Sequence, residues 1–113
     1  MDPISCKVEQ LPTATVVHVY GEVDVAGAPV LREALISVLA EPCSHLIVDL
    51  SGVDFLDSTG IGVIVAAHTR ALAQNGRFSA VVTTTAVRKV LQITGLLRAW
   101  RVTGSIEDAL SDV

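Results

Sequence analysis

Apolar positions along the chain change their period several times, and each change marks a predicted element. Ile4, Cys6 and Val8 alternate with polar residues, Leu11-Pro12-Thr13 interrupts, and Thr15 to Tyr20 follows as a β-branched run. The pattern predicts two strands joined by a short turn, the second ending at Gly21. From Pro29 the period lengthens. Leu31, Ala34, Leu35, Val38 and Leu39 fall at helical spacing with Arg32, Glu33 and Ser37 between them, an amphipathic helix with Pro29 tolerated in its first turn. After Glu41-Pro42, the run HLIVDL from His45 to Leu50 predicts a strand buried on both faces, as in parallel sheets flanked by helices.

Beyond Leu50 a loop, Ser51 to Asp57, is expected to deliver the chain to a helix beginning near Thr59, with Ser58 at its N-cap. Ile61, Ile64, Val65, His68 and Leu72 then repeat at helical spacing up to Asn75-Gly76, where Gly76 is expected to supply the left-handed residue that ends the helix. RFSAVVT, Arg77 to Thr83, reads as a strand, and Val87, Val90, Leu91 and Thr94 as a helix closed by Gly95. A short strand around Trp100 to Val102 precedes a last helix, capped by Ser105 with Asp108 in the capping-box position. Two strands followed by strand–helix alternation predict an α/β fold with a mixed sheet and right-handed crossovers. No linker or repeat divides residues 1–113, so one domain is expected.

Half of the residues are hydrophobic but only 4% are aromatic, so the core must be built from Val, Leu, Ile and Ala. The net charge is −4 and the eight basic residues are scattered, which argues against the basic stripe that nucleic-acid binding requires. The N-terminal stretch MDPISCKVEQLP lacks a basic start and an apolar run, and no segment approaches the ~20 apolar residues that span a bilayer. A cytoplasmic protein without membrane insertion is therefore expected, with a protein as its partner. Cys6 and Cys43 lack CxxC spacing and read as small apolar residues, and no cluster offers a metal or cofactor site.

The candidate chemistry sits in Asp57-Ser58-Thr59-Gly60, which interrupts the apolar run LSGVDFLDSTGIGVIVAAH between Leu50 and His68. A serine at a helix start is most often a cap. Gly60 and Gly62, however, each cost up to about 1 kcal/mol in a helix relative to Ala, so close approach by a partner or a neighbouring strand is expected there. Phe55-Leu56 beside the hydroxyl is a candidate apolar docking patch. Nucleophilic catalysis is not expected. The GxSxG frame is absent because Leu56 stands two residues before Ser58, and no histidine is placed to serve as base. His68 is ten residues along the same helix, about 15 Å away; His45 begins the preceding strand, and His18 lies mid-strand.

GEVD at Gly21 to Asp24, LIVDLSGVDFLDSTGIGVIVAA at Leu46 to Ala67 and VRKVLQITGL at Val87 to Leu96 together resemble the STAS-domain anti-sigma factor antagonists of bacteria, in order and over nearly the whole chain. The resemblance implies a STAS fold, a sheet of four or five strands with helices packed against it. It also implies partner switching. In that family the unphosphorylated protein binds an anti-sigma factor, often a serine kinase, and frees a sigma factor for transcription; phosphorylation abolishes binding and a metal-dependent serine phosphatase restores it. Carried onto this chain, the phosphoacceptor would be Ser58, and the partner-binding residues Asp24, Asp57, Ser58, Thr59 and Gly60. The alternative within the resemblance is a STAS scaffold subunit of a transporter or signalling complex that is never phosphorylated.

Overall fold

The structure, a computed structural model, describes residues 4–111; Met1 to Pro3, part of the N-terminal stretch read above, and residues 112–113 lie outside them. The elements run β1 (Ser5–Gln10), β2 (Thr15–Val23), α1 (Ala28–Leu39), β3 (His45–Leu56), α2 (Ser58–Ala73), β4 (Arg77–Val81), α3 (Thr85–Ile93), α4 (Leu96–Ala99), β5 (Val102–Thr103) and α5 (Ile106–Ser111). All five strands form one sheet in the order β1-β2-β3-β4-β5, with β1 antiparallel to β2 and every later pair parallel. A strand order that never reverses, joined by crossovers of constant hand, sends every crossover helix to the same face.

That face carries the main core. Val17, Val19, Leu46, Val48 and Leu50 of the sheet meet Leu31, Leu35 and Leu39 of α1, Ile64, Ala67 and Ala71 of α2, and Val87 and Leu91 of α3. The opposite face is covered over part of its area by α5, through a smaller cluster of Ala14, Val16, Ile47, Val81 and Ala109. Residues His45 to Leu50 are buried throughout, as expected for the central strand of a parallel sheet.

Several boundaries differ from the sequence expectation. β2 passes through Gly21 to Val23, because Gly21 adopts φ 99° at a register shift that lets pairing resume beyond it. Tyr20 pairs with Gly52, and the extension gives Val53, Phe55 and Leu56 a partner, so the loop expected from Ser51 to Asp57 is strand as far as Leu56. At the end of α2 it is Asn75, at φ 62°, that takes the left-handed conformation. Gly76 donates its N–H to the Ala71 carbonyl at 2.9 Å and Asn75 donates to Leu72 at 3.0 Å, a Schellman pair. Gly76 is small for another reason: a Cβ there would lie 2.3 Å from the Cys43 carbonyl oxygen. Trp100 is not in a strand; it ends the short helix α4, fully buried, and β5 begins two residues later. The cap of α5 is as expected, with Ser105 Oγ accepting the Asp108 N–H at 3.0 Å.

α2 is rotated relative to its apolar pattern. It buries Gly60, Ile64, Ala67 and Ala71, while Val65 and Leu72 are exposed. Three of these four buried residues are small, so close packing against the sheet decides the buried face in place of side-chain size.

Candidate functional site

β2 and β3 are parallel neighbours whose last paired residues are Val23 and Leu56, so the residues that follow each strand emerge side by side. The Asp57 N–H donates to the Val23 carbonyl at 3.1 Å and closes the pair. On the β2 side, Asp24 Oδ1 accepts the Gly27 N–H at 2.8 Å, and the Asp24 carbonyl accepts the Ala28 N–H at 2.8 Å, which folds Asp24 to Gly27 into the turn that starts α1. Gly27 is required there. A Cβ would stand 2.8 Å from the Glu22 carbonyl oxygen and 3.1 Å from the Ile4 side chain. Parallel sheets place their sites at such carboxyl ends, where strands stop and helices begin.

On the β3 side the cap is not the residue expected. Asp57, extended at φ −100° and ψ −175°, is the N-cap of α2, and its Oδ1 accepts N–H bonds from Thr59 at 2.9 Å and Gly60 at 3.1 Å. Ser58 is therefore the first helical residue. Of two adjacent residues able to cap, the carboxylate satisfies two free N–H groups with charge assistance, and the hydroxyl is left over. Ser58 is exposed, and among the described residues its hydroxyl makes no hydrogen bond. Thr59 is also exposed, while Gly60 is buried. A Cβ on Gly60 would lie 2.5 Å from Val23 Cγ1 and 2.8 Å from Leu56 Cδ1, so strand packing accounts for this glycine. Gly62 differs: a Cβ there meets nothing within 4 Å.

Asp24, Asp57, Ser58, Thr59 and Gly60 thus gather at the ends of two adjacent strands, as acidic and hydroxyl groups around the positive end of a sixteen-residue helix. Of the apolar pair beside them, Leu56 is buried and Phe55 is about half exposed, as is Val25, more fully, in the neighbouring turn. Among the described residues none of the three histidines bonds the hydroxyl. His45 Nε2 is 2.8 Å from Ser79 Oγ at the start of β3, and His68 sets its ring edge against Phe78, with centroids 4.9 Å apart. His18 lies on the face opposite α1, α2 and α3, its Nδ1 2.7 Å from Asp49 Oδ2 and its Nε2 2.9 Å from Glu9 Oε1. Among the described residues no group of His, Cys, Asp and Glu has the arrangement of a metal site.

The His18 cluster was not found from the sequence because its three members lie on three strands, and only the register joins them. Burial works against the imidazolium, but the hydrogen bonds and charges of Glu9 and Asp49 overcome it and raise the His18 pKa. Burial likewise opposes the Asp49 carboxylate, yet hydrogen bonds from Ser51 and His18 hold its pKa below the ordinary value. The cluster ties the edge strand β1 to the central strand β3 across β2.

The family model for the STAS domain matches residues 5–109. The chain belongs to the STAS domain family. Among curated relatives, this STAS domain is 31% identical to the anti-sigma-F factor antagonist RsfB of Mycobacterium tuberculosis over 112 residues, which is 99% of this chain and 91% of RsfB. It is 37% identical to the anti-sigma-B factor antagonist of Bacillus subtilis over 93 residues, 82% of this chain and 84% of the relative. Among solved structures, an anti-sigma factor antagonist from Mycobacterium paratuberculosis superposes with a TM-score of 0.90 at 34% identity, covering 97% of this chain and 93% of the other. Among the described residues, no helix of the STAS domain is long and apolar enough to cross a membrane.

Proposed function

We propose that this STAS domain is an anti-sigma factor antagonist that binds its anti-sigma factor at the platform formed by Asp24 and Asp57 to Gly60, and that phosphate on Ser58 breaks the contact. The relatives that match nearly the whole chain carry the name of such antagonists. The observation that carries the switch is the exposed, unbonded Ser58 hydroxyl at the first position of α2, beside the capping carboxylate. A kinase finds a nucleophile on a rigid backbone with no internal bond to break. The partner's own serine-kinase activity would place the phosphate, and a serine phosphatase would remove it.

The energetics favour a switch at the interface rather than in the fold. Phosphate adds about −1.5 to −2 charges, and the helix N-terminus offsets part of that charge within the chain. Asp57 already occupies the Thr59 and Gly60 N–H groups, so the phosphate points outward. A contact that was neutral at Ser58 then has to desolvate a dianion flanked by carboxylates, at a cost of several kcal/mol. Moving from almost fully bound to almost fully free takes about 5.5 kcal/mol. In this reading the domain acts by binding its partner.

The test is titration of the cognate anti-sigma factor with four forms: unmodified, phosphorylated, Ser58→Ala and Ser58→Asp. Unmodified protein and Ser58→Ala are expected to bind alike, Ser58→Asp more weakly, and the phosphorylated form not at all, with circular dichroism unchanged throughout. Phosphate mapping to Thr59, or tight binding by the phosphorylated form, refutes the assignment.

A further inference from the structure

α1 and α2 leave a groove of about 710 Å³ between them, within the range of built ligand and peptide sites. Its buried floor is apolar, with Leu35 and Leu39 from α1 and Ala67 from α2. Ile36, 58% exposed, stands on its wall. Gly62 opens onto it, and since a Cβ at Gly62 touches nothing, the groove is the feature that its missing side chain preserves. Two cations, Arg32 and Arg70, also line the groove, and among the described residues neither forms an ion pair. In a chain of net charge −4, two unpaired guanidiniums bracketing an apolar floor specify an acidic, amphipathic occupant.

The spacing sharpens this. Both helices run back from the carboxyl ends of adjacent parallel strands, so they are parallel and start near one level. Arg32 is the fifth residue of α1 and Arg70 the thirteenth of α2, which separates them by roughly 12 Å along the groove at 1.5 Å per residue. On a third helix lying in the groove, residues seven apart are about 10.5 Å apart and on the same face. Thr59 lines the end nearer Arg32, and Ser58 precedes it.

We infer that the α1–α2 groove seats an amphipathic helix of the protein partner, with two acidic residues seven apart facing Arg32 and Arg70 and apolar residues between them facing Leu35 and Gly62. The inference rests on the reading that Ser58 switches a protein contact, and it names the part of the partner that the switch acts on. Phosphate on Ser58 stands at the Arg32 end, where it repels the first carboxylate of the docked helix and competes with it for the guanidinium.

The test uses a fluorescein-labelled, 18-residue helical peptide with two Glu seven positions apart and a Leu pair between them, followed by fluorescence anisotropy. The peptide is expected to bind the unmodified domain. Gly62→Leu fills the groove and should weaken binding at least tenfold, with a thermal melt showing that the variant folds. Arg32→Glu should weaken it about tenfold, and a peptide with Lys in place of the first Glu should recover the loss. Absence of binding to the unmodified domain, or equal binding by Gly62→Leu, overturns the inference. Titration of the anti-sigma factor in parallel separates the two readings. If phosphate on Ser58 releases the factor while Gly62→Leu binds it normally, the groove is wrong and the switch stands. If the groove variants lose peptide and factor alike but phosphate has no effect, the switch is wrong and the groove stands.

Discussion

Alanine placed at Gly60 and at Gly62, two residues apart on one helix, should change stability in opposite directions. Each substitution relieves the backbone entropy cost of glycine in a helix, a gain of about 1 kcal/mol. At Gly62 nothing opposes the gain, since the added Cβ has open space around it. At Gly60 the Cβ stands 2.5 Å from Val23 Cγ1 and 2.8 Å from Leu56 Cδ1, and both side chains are buried against the sheet. Val is stiff at χ1, so relief requires α2 to move off the strand ends, an overpacking cost of about 1–3 kcal/mol. The net is about 1 kcal/mol of stabilisation for Gly62→Ala and about 0–2 kcal/mol of destabilisation for Gly60→Ala. At roughly 2.1 cal/mol/K per residue, 1 kcal/mol corresponds to about 4 °C in Tm for a chain of this length. Thermal melts supported by urea midpoints at constant m-value decide it. A Gly60→Ala protein that melts above wild type refutes the packing argument, and a Gly62→Ala protein that melts below it refutes the claim of open space.

Asp57→Ala should cost about 1 kcal/mol by removing both cap bonds, whereas Ser58→Ala should stay within about 0.5 kcal/mol of wild type; urea denaturation of the pair distinguishes cap from first helical residue. The His18 cluster should make stability depend on pH. Its raised folded pKa means the contribution is fully present below the unfolded value near 6.5 and is lost as pH rises through the folded value; Asp49, with its lowered pKa, contributes above about 3.9 and is lost in acid. The Tm difference between wild type and His18→Gln should therefore be largest at about pH 4–6.5 and shrink above it, and a difference that grows with rising pH would overturn the ion-pair account. Cys6, half-buried with its thiol pKa raised by burial, should react slowly with a thiol reagent at pH 8, and buried Cys43 should react only on unfolding; rapid labelling of Cys43 in the native protein would contradict its burial.

Periodicity by itself determined the order of the main elements, the helical face of α1 and the doubly buried run His45 to Leu50, because each depends on side chains close together in sequence. The motif around Ser58 also identified the family and located the hydroxyl at the start of α2. What local pattern could not decide was settled by neighbours distant in the chain. β3 continues to Leu56 only because β2 passes its bulge at Gly21 and offers partners, and no residue between Ser51 and Leu56 carries that information. The choice of Asp57 over Ser58 as the cap follows from the Asp57 N–H bonding to the Val23 carbonyl, which holds Asp57 extended and leaves Ser58 to begin the helix. Gly60 and Gly62 look alike in sequence; Val23 and Leu56 make one of them obligatory, and the groove beside α1 leaves the other facing open space. The His18 cluster and the pairing of Arg32 with Arg70 across one groove likewise join residues from different elements. A single sequence records such groups one by one, and only strand register and helix packing place them within reach of each other.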